Sequence, residues 1–311
     1  MMTPKERAIA AFNLEQPDEV PTFDLVFFPT QEAFGEDYKP AYDWEDLSEK
    51  EREATAEHNA RLYLKIAERY NYSIIFENFA GTSDHSVAIA KKIREIAGDN
   101  YMIVRHGDAT YSIPDGNRME QFFVDLFEKK DEMKQRAADM VTSALENNKV
   151  YLDNGFDGFA LCSDYCYNTG PFMSPPMFRE FITEHLQRLI AGYRKMGAWA
   201  IKHTDGNIMP VLDQLAECEP HALHSLDPMA GVDIAEVKRL IGDKVCLMGN
   251  VDCAKMQTGT EQEVIENAEY SIKSGKPGGG YFFCTSNCVF PGLPLDRYEL
   301  IMSVYDKYKK Y

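Results

Sequence analysis

Between Ala198 and Ser286 the chain reads AWAIKHTD (198–205), HALHSLD (221–227), KVCLMGNVD (244–252) and GYFFCTS (280–286). These are four short runs rich in β-branched and aromatic residues, with Gly, Pro, Asp or Asn at their bounds, the composition of buried strands between turns. Four earlier runs have the same character: VPTFDLVFF (20–28), SIIFENF (73–79), YMIVRHGD (101–108) and FDGFALCSDY (156–165). Between the runs lie charged, periodic stretches that predict helices over 49–69, 131–147, 174–196, 232–241 and 261–274. The third of these opens on Ser-Pro-Pro, where serine suits a helix cap and proline the first turn. About eight strands alternating with helices predict an α/β fold, a parallel sheet closed into a single (β/α)8 barrel over residues 1–311. The structural alternative is a doubly wound open sheet, but no Gly-x-Gly-x-x-Gly turn follows an early strand. Residues 107–121 are long for a βα loop and are expected to form a lid or an inserted hairpin after the third strand.

The chain has 311 residues, with 33 basic against 50 acidic, a formal net charge of −17. An acidic surface of that size argues against nucleic acid as a partner and, more weakly, against an anionic membrane. No apolar run approaches the roughly 20 residues of a membrane span, and Met1–Asn13 lacks the apolar core of a secretion signal. Seven cysteines, all between 162 and 288, sit mostly in strand-like runs. That is the usage of reduced thiols, so a cytoplasmic location is expected. The oligomeric state, self-association included, is left open.

In a barrel the C-terminal strand ends build the pocket. Here nearly every strand ends in a polar or ionisable group: Asp24, Glu77, His106 with Asp108, Asp164 with Tyr165, His203 with Asp205, Asp227, Asn250 with Asp252, and Asn287 with Cys288. Any one of these reads as a helix cap; eight around one rim read as a site. The sharpest local feature is Lys202-His203-Thr204-Asp205-Gly206-Asn207. His203 and Asp205, two apart on a strand, point the same way, which suits a metal ion, an acid/base pair or a structural hydrogen bond. Gly206 permits a tight turn and Asn207 a cap. Cys284 lies mid-strand and reads as core, whereas Cys288 lies beyond the strand end and faces the same mouth. A His/Cys pair with an added carboxylate fits a zinc site with one open position. Tyr38, Tyr42 and Trp44 either roof a flat ligand or pack a loop onto the barrel.

Several stretches together resemble the uroporphyrinogen decarboxylase superfamily, in particular its corrinoid-dependent methyltransferase branch. They include Met2–Arg7 with Pro17–Pro21, Ser163-Asp164-Tyr165 with Gly170–Pro175, and Phe178–Phe181. Lys202–Asn207 is similar to the superfamily's His-x-Asp/Cys-Gly-Asn motif, and Leu247–Asp252, Gly278–Gly280 and Pro291-Gly292 to its last two barrel units. The resemblance implies a (β/α)8 domain whose mouth presents a methyl-transfer site. The decarboxylases carry an arginine-rich segment after the first strand; the corresponding Phe27–Glu32 has no arginine, so decarboxylation of a polycarboxylate ranks second. Methyltransferases of the branch bind zinc through His-x-Cys and a distant Cys. That implies His203 and Cys288 as ligands, with Asp205, standing where the second ligand is Cys, and Glu77 as third-ligand candidates. The implied reaction moves a methyl group between a small methylated compound, an O-methyl donor, and the cobalt of a separate corrinoid protein. Asp164 and Tyr165 would orient substrate and Asn250 would hydrogen-bond in the mouth. A non-catalytic corrinoid-binding role is the remaining reading.

Overall fold

The computed structural model describes residues 1–311. Seven parallel strands form one curled sheet: β1 (Ile74–Glu77), β2 (Met102–His106), β3 (Gly158–Leu161), then, after a small hairpin of β4 (Cys166–Tyr167) and β5 (Gly170–Pro171), β6 (Trp199–His203), β7 (Ala222–His224), β8 (Cys246–Val251) and β9 (Tyr281–Thr285). Their spatial order is β1-β2-β3-β6-β7-β8-β9, so each strand of the sheet neighbours the next in sequence. The register aligns the ends: His203 pairs with His224, and His224 with Met248. An α/β fold of helices outside a curled parallel sheet is therefore what the alternating runs produce.

The two faces of the sheet carry two different cores. Ile74, Phe76, Met102, Val104, Ala160, Ile201, Ala222, Cys246, Met248, Phe282 and Cys284 pack together on the concave side. Their neighbours one residue along, such as Ile75, Ile103, Phe159, Leu223, Leu247 and Phe283, belong to the larger cluster between sheet and helices. This is period-2 alternation with both faces buried, as parallel strands require. The helix Pro4–Phe12 begins with a capping box between Thr3 and Glu6 and with Pro4 in its first turn. It closes one end of the concave core with Ala8, Ala11 and Phe12, the Phe12 ring lying 5.3 Å from those of Trp199 and Phe282.

Two expectations change. The run 20–28 is not a strand; it makes single parallel bridges from Thr22 to Tyr72 and Phe283, and from Phe27 to Val289. Backbone bonds from Ser73 N–H to Thr22 O (2.8 Å) and Phe283 N–H to Pro21 O (3.0 Å) tie it to both edges of the sheet. A ladder does not continue because a side chain takes over as acceptor. Asp24 Oδ1 receives the Thr285 N–H at 3.0 Å and the Thr285 hydroxyl at 2.6 Å, and Asp24 Oδ2 receives the Tyr72 and Tyr298 hydroxyls. Residues 107–121 contain no strand either. They run as a loop to Asp115 and then begin the helix Gly116–Glu128, while the hairpin comes one strand later. That loop is fastened: Asp108 Oδ1 accepts from the Thr110 N–H and hydroxyl, and the Ile113 N–H bonds the Asp164 carbonyl at 2.9 Å. No helix is long and apolar enough to cross a membrane, and all seven cysteines are free.

Burial pushes the Asp24 carboxyl up to about 6, against hydrogen bonds from Thr285, Tyr298 and Tyr72 that pull it down. A folded value above that of the unfolded chain means folding favours the protonated acid. This contribution is present in full below about pH 4 and is lost as pH rises through 6. Wild type should therefore weaken relative to Asp24→Asn by up to about 3 kcal/mol between pH 4 and 7. Urea denaturation of both proteins across that range measures it; a pH-independent difference would show that Asp24 does not ionise there.

Candidate metal and active site

Strand β6 places the site. His203 follows Ile201 on the concave face, so its ring enters the mouth, while Lys202 points the other way and is fully buried behind the sheet. The Lys202 ammonium donates to Asp108 Oδ2 at 2.9 Å and to the Ser163 carbonyl at 2.8 Å, and lies 3.9 Å from the centre of the Tyr165 ring. Asp108 also accepts the Ser163 N–H at 2.9 Å. Burial acts to raise the Asp108 carboxyl, but the Lys202 charge and these hydrogen bonds outweigh it and hold it below the usual range. The ends of β2, β3 and β6 are thus fixed to one another from behind.

In front, His203, Asp164 and Asp205 converge, each offering a ligand atom within 4.8 Å of the others. His203 Nε2 is 3.8 Å from Asp164 Oδ1 and 3.7 Å from Asp205 Oδ1. Asp164 Oδ1 accepts the Asp205 N–H at 3.1 Å. Asp205 Oδ1 accepts the Ser225 hydroxyl at 2.7 Å, and its Oδ2 accepts the Asn287 amide. Burial drives His203 down to about 3, helped by the Lys202 and His106 charges, so the imidazole is neutral at neutral pH. Burial pushes Asp205 up to about 7, and the Asp164 and Asp227 carboxylates add to the rise against the Ser225 and Asn287 bonds. Gly206 then turns at φ +81°, a left-handed conformation that favours glycine. A Cβ there would sit 2.4 Å from the Cys166 carbonyl oxygen. Close approach of the hairpin, sealed by the Asn207 N–H to the Tyr167 carbonyl at 2.9 Å, explains the glycine.

One imidazole and two carboxylates suit a divalent ion. In tetrahedral zinc sites ligand atoms about 2.0–2.2 Å from the metal stand roughly 3.4 Å apart. The His203 separations of 3.7 and 3.8 Å need to contract by a few tenths of an ångström, and with all three ligand atoms within 4.8 Å of one another the residues present fit a divalent ion.

The other expected residues lie elsewhere. Glu77 follows the concave-facing Phe76 and so turns outward, accepting from Ser86 in the helix Ser83–Ala97 and from the Ala80 N–H at 3.0 Å. Tyr165 is fully buried, its hydroxyl 2.5 Å from that of Thr110, and supports the rim from behind. The Asn250 amide donates to the Leu226 carbonyl at 2.8 Å, its own N–H bonds Ser271 Oγ, and it borders a cleft with Lys255, Glu266 and Tyr270. Cys288 is half-buried, its N–H on Asn287 Oδ1 at 2.6 Å, but its sulfur is outside the converging group. Burial, Asp205 and Asp24 push its thiol up to about 12. Trp44 stacks on His85 and Tyr38 on Phe79, which packs a loop onto the sheet and leaves Tyr42 exposed.

Two further histidines stand at the mouth, His106, one of the polar strand ends, and His224, which ends β7. His224 brings its Nδ1 to 2.7 Å from His203 Nδ1. His106 bonds Asn78 Oδ1 through Nε2 at 2.7 Å and stands edge-on to Phe76. Parity along each strand was the available signal: His224 lies two residues after the concave-facing Ala222, and His106 two after Val104.

The family model described as Uroporphyrinogen decarboxylase (URO-D) matches residues 109–308, and the chain belongs to that family. The methylcobamide:CoM methyltransferase MtaA of Methanosarcina barkeri is 24% identical over 224 residues, 70% of this chain and 62% of that protein. A uroporphyrinogen decarboxylase of Thioalkalivibrio sulfidiphilus is 28% identical over 148 residues, 44% of this chain and 39% of that one. The chain therefore spans 62% or less of the length of these curated relatives. Among solved structures, a methyltransferase from Methanosarcina mazei matches with a TM-score of 0.74 at 18% identity, covering 99% of both chains. A B12-independent methionine synthase from Shewanella matches at 0.54 and 13% identity, covering 93% of this chain and 96% of that chain. These likenesses establish a shared fold.

Lys202→Met leaves Asp108 buried without its counter-charge and should cost about 3–5 kcal/mol in urea denaturation. The double variant Lys202→Met/Asp108→Asn should recover part of that loss. Equal stability of the two variants would show that the pair is not coupled.

Proposed function

We propose that the chain is a single-domain methyltransferase, moving a methyl group between a small methylated compound and the cobalt of a separate corrinoid protein, with zinc held at the mouth. The run 20–28 is read as the stave that completes an eightfold barrel around this site. The observation that carries the reading is the convergence of Asp164, His203 and Asp205 at the C-terminal strand ends. Membership of the URO-D family and the likeness to MtaA support it. A zinc ion held there would supply a Lewis acid to the oxygen of a methoxylated donor as the methyl group departs.

The protein's own groups do the rest. His203, neutral at physiological pH, offers the Nε2 lone pair. Asp205 and Asp164 supply oxygen ligands and keep the mouth attractive to a cation. Cys288, one residue from the Asn287 that bonds Asp205, is the candidate fourth donor. Tyr165, Thr110 and Lys202 hold the Asp164 loop from behind and so act through it. A substrate with many carboxylates would meet Asp164, Asp205 and Asp227 with no arginine in Phe27–Glu32, which disfavours decarboxylation as the second reading.

Protein purified without a metal-binding tag should carry about one zinc per chain. His203→Ala should abolish binding, and Cys288→Ala should weaken it less. Free cob(I)alamin serves as acceptor probe for methoxylated donors, followed by its absorbance. Methyl transfer lost in His203→Ala is the expected result. Metal-free protein that decarboxylates a porphyrinogen, and does so equally well without His203, would overturn the assignment.

A further inference from the structure

Residues 224 and 225 depart from strand alternation. Along β7, Ala222 faces the concave core and Leu223 the outer one. His224 faces inward again, and strand alternation would send Ser225 outward. Instead Ser225 adopts φ +92° and Leu226 φ +51°, both in the left-handed region that side-chain-bearing residues rarely occupy. Two consecutive side chains thereby enter the same mouth. Ser225 Oγ reaches Asp205 Oδ1 at 2.7 Å and the Ser286 carbonyl at 2.6 Å, while the His224 ring meets His203. The neighbouring strand makes room for the turn. Gly249 has no Cβ, and one built there would lie 2.8 Å from the Ser225 carbonyl oxygen. Strained backbone of this kind persists where the surroundings over-determine it, and it gathers at functional sites.

Resting on the metal-site reading above, we infer that His224 and Ser225 are the positioning residues of that site: His224 selects the tautomer of His203, and Ser225 aims Asp205. Two imidazole nitrogens 2.7 Å apart share one proton, so one ring donates and the other accepts. When His203 carries the proton on Nδ1 and donates it to His224 Nδ1, its Nε2 is a free lone pair directed between Asp164 and Asp205. When the proton sits on His224 Nδ1, His203 Nε2 bears a hydrogen and cannot take a metal. The ligating state therefore needs an acceptor at His224 Nδ1 and places the one N–H proton of that ring on Nε2. His224 Nε2 is buried and lacks a hydrogen-bond partner of good geometry. The hydrogen-bonded partner of a metal-binding histidine fixes its ring and tautomer, and its removal commonly weakens metal binding 10–100-fold.

The test measures zinc affinity of the whole chain by competition with a chromophoric chelator, beside thermal melting of each variant. Wild type binds zinc and His203→Ala does not. His224→Phe, which keeps the ring and removes both nitrogens, is expected to bind about 10–100-fold more weakly while it still melts cooperatively. His224→Asn puts an amide oxygen near the Nδ1 position and should return affinity to within a few-fold of wild type. Ser225→Gly relieves the φ of +92° and removes the hydroxyl, so zinc affinity should fall several-fold without any loss of melting temperature. A purely structural role would instead lower melting and leave affinity alone. Zinc affinity within twofold of wild type in His224→Phe or in Ser225→Gly overturns the inference while the metal site stands. Should His224→Phe fail to fold, Ser225→Gly decides by the same criterion, and a His224→Asn affinity more than about 10-fold below wild type overturns the tautomer role. Wild-type protein that binds no zinc overturns both readings together.

Discussion

The ion pair between Lys202 and Asp108 is the constraint around which the mouth is built. It lies behind the sheet, the ammonium wholly out of water and the carboxylate nearly so, where the two persist only if their remaining hydrogen-bonding capacity is met. Ser163 supplies a carbonyl to one and an N–H to the other, Thr110 bonds the carboxylate, and the Tyr165 ring faces the ammonium. Together these contacts join the ends of β2, β3 and β6. Because Lys202 is anchored outward, the next residue along β6 must face inward, and that residue is His203. The chemistry of the front is positioned by the charges at the back.

The front is held with comparable care. Asp205 is bonded from β7 by Ser225 and from the segment after β9 by Asn287, and Asp164 is bonded by the Asp205 backbone. Few of these bonds join residues near in sequence. Their sum leaves two carboxylates and an imidazole facing one small space without a cationic side chain among them, an arrangement that is costly in isolation and comfortable around a divalent ion.

Much of this was legible in the chain itself, and the failures have one cause. His203 and Asp205 were readable as a pair because strand periodicity puts i and i+2 on one face. Asp164 was readable as a polar end of the preceding strand. Glu77 and Tyr165 were misplaced because a residue at a strand end looks the same whichever face it takes. Phe76 occupies the concave position, which leaves Glu77 to the helix side. His221 and His224 alternate faces, and parity with Ala222 puts His224 in the mouth, whereas Ser225 is unreadable because its backbone leaves the strand pattern altogether. The run 20–28 has strand composition, yet Asp24 substitutes a carboxylate for the backbone acceptors of a ladder, and no local rule announces that exchange.

The sequence by itself determined the class of fold, through eight short apolar runs alternating with periodic helices, and the neighbourhood of the site, through polar residues at their ends. Both rest on interactions of short range: side-chain parity, helix caps, and turns at glycine and proline. Only the tertiary structure decided which of those polar ends share a space. That choice depends on strand register, on the curl that brings β6 beside β7, and on a left-handed backbone at Ser225, all set by contacts between residues distant in the chain.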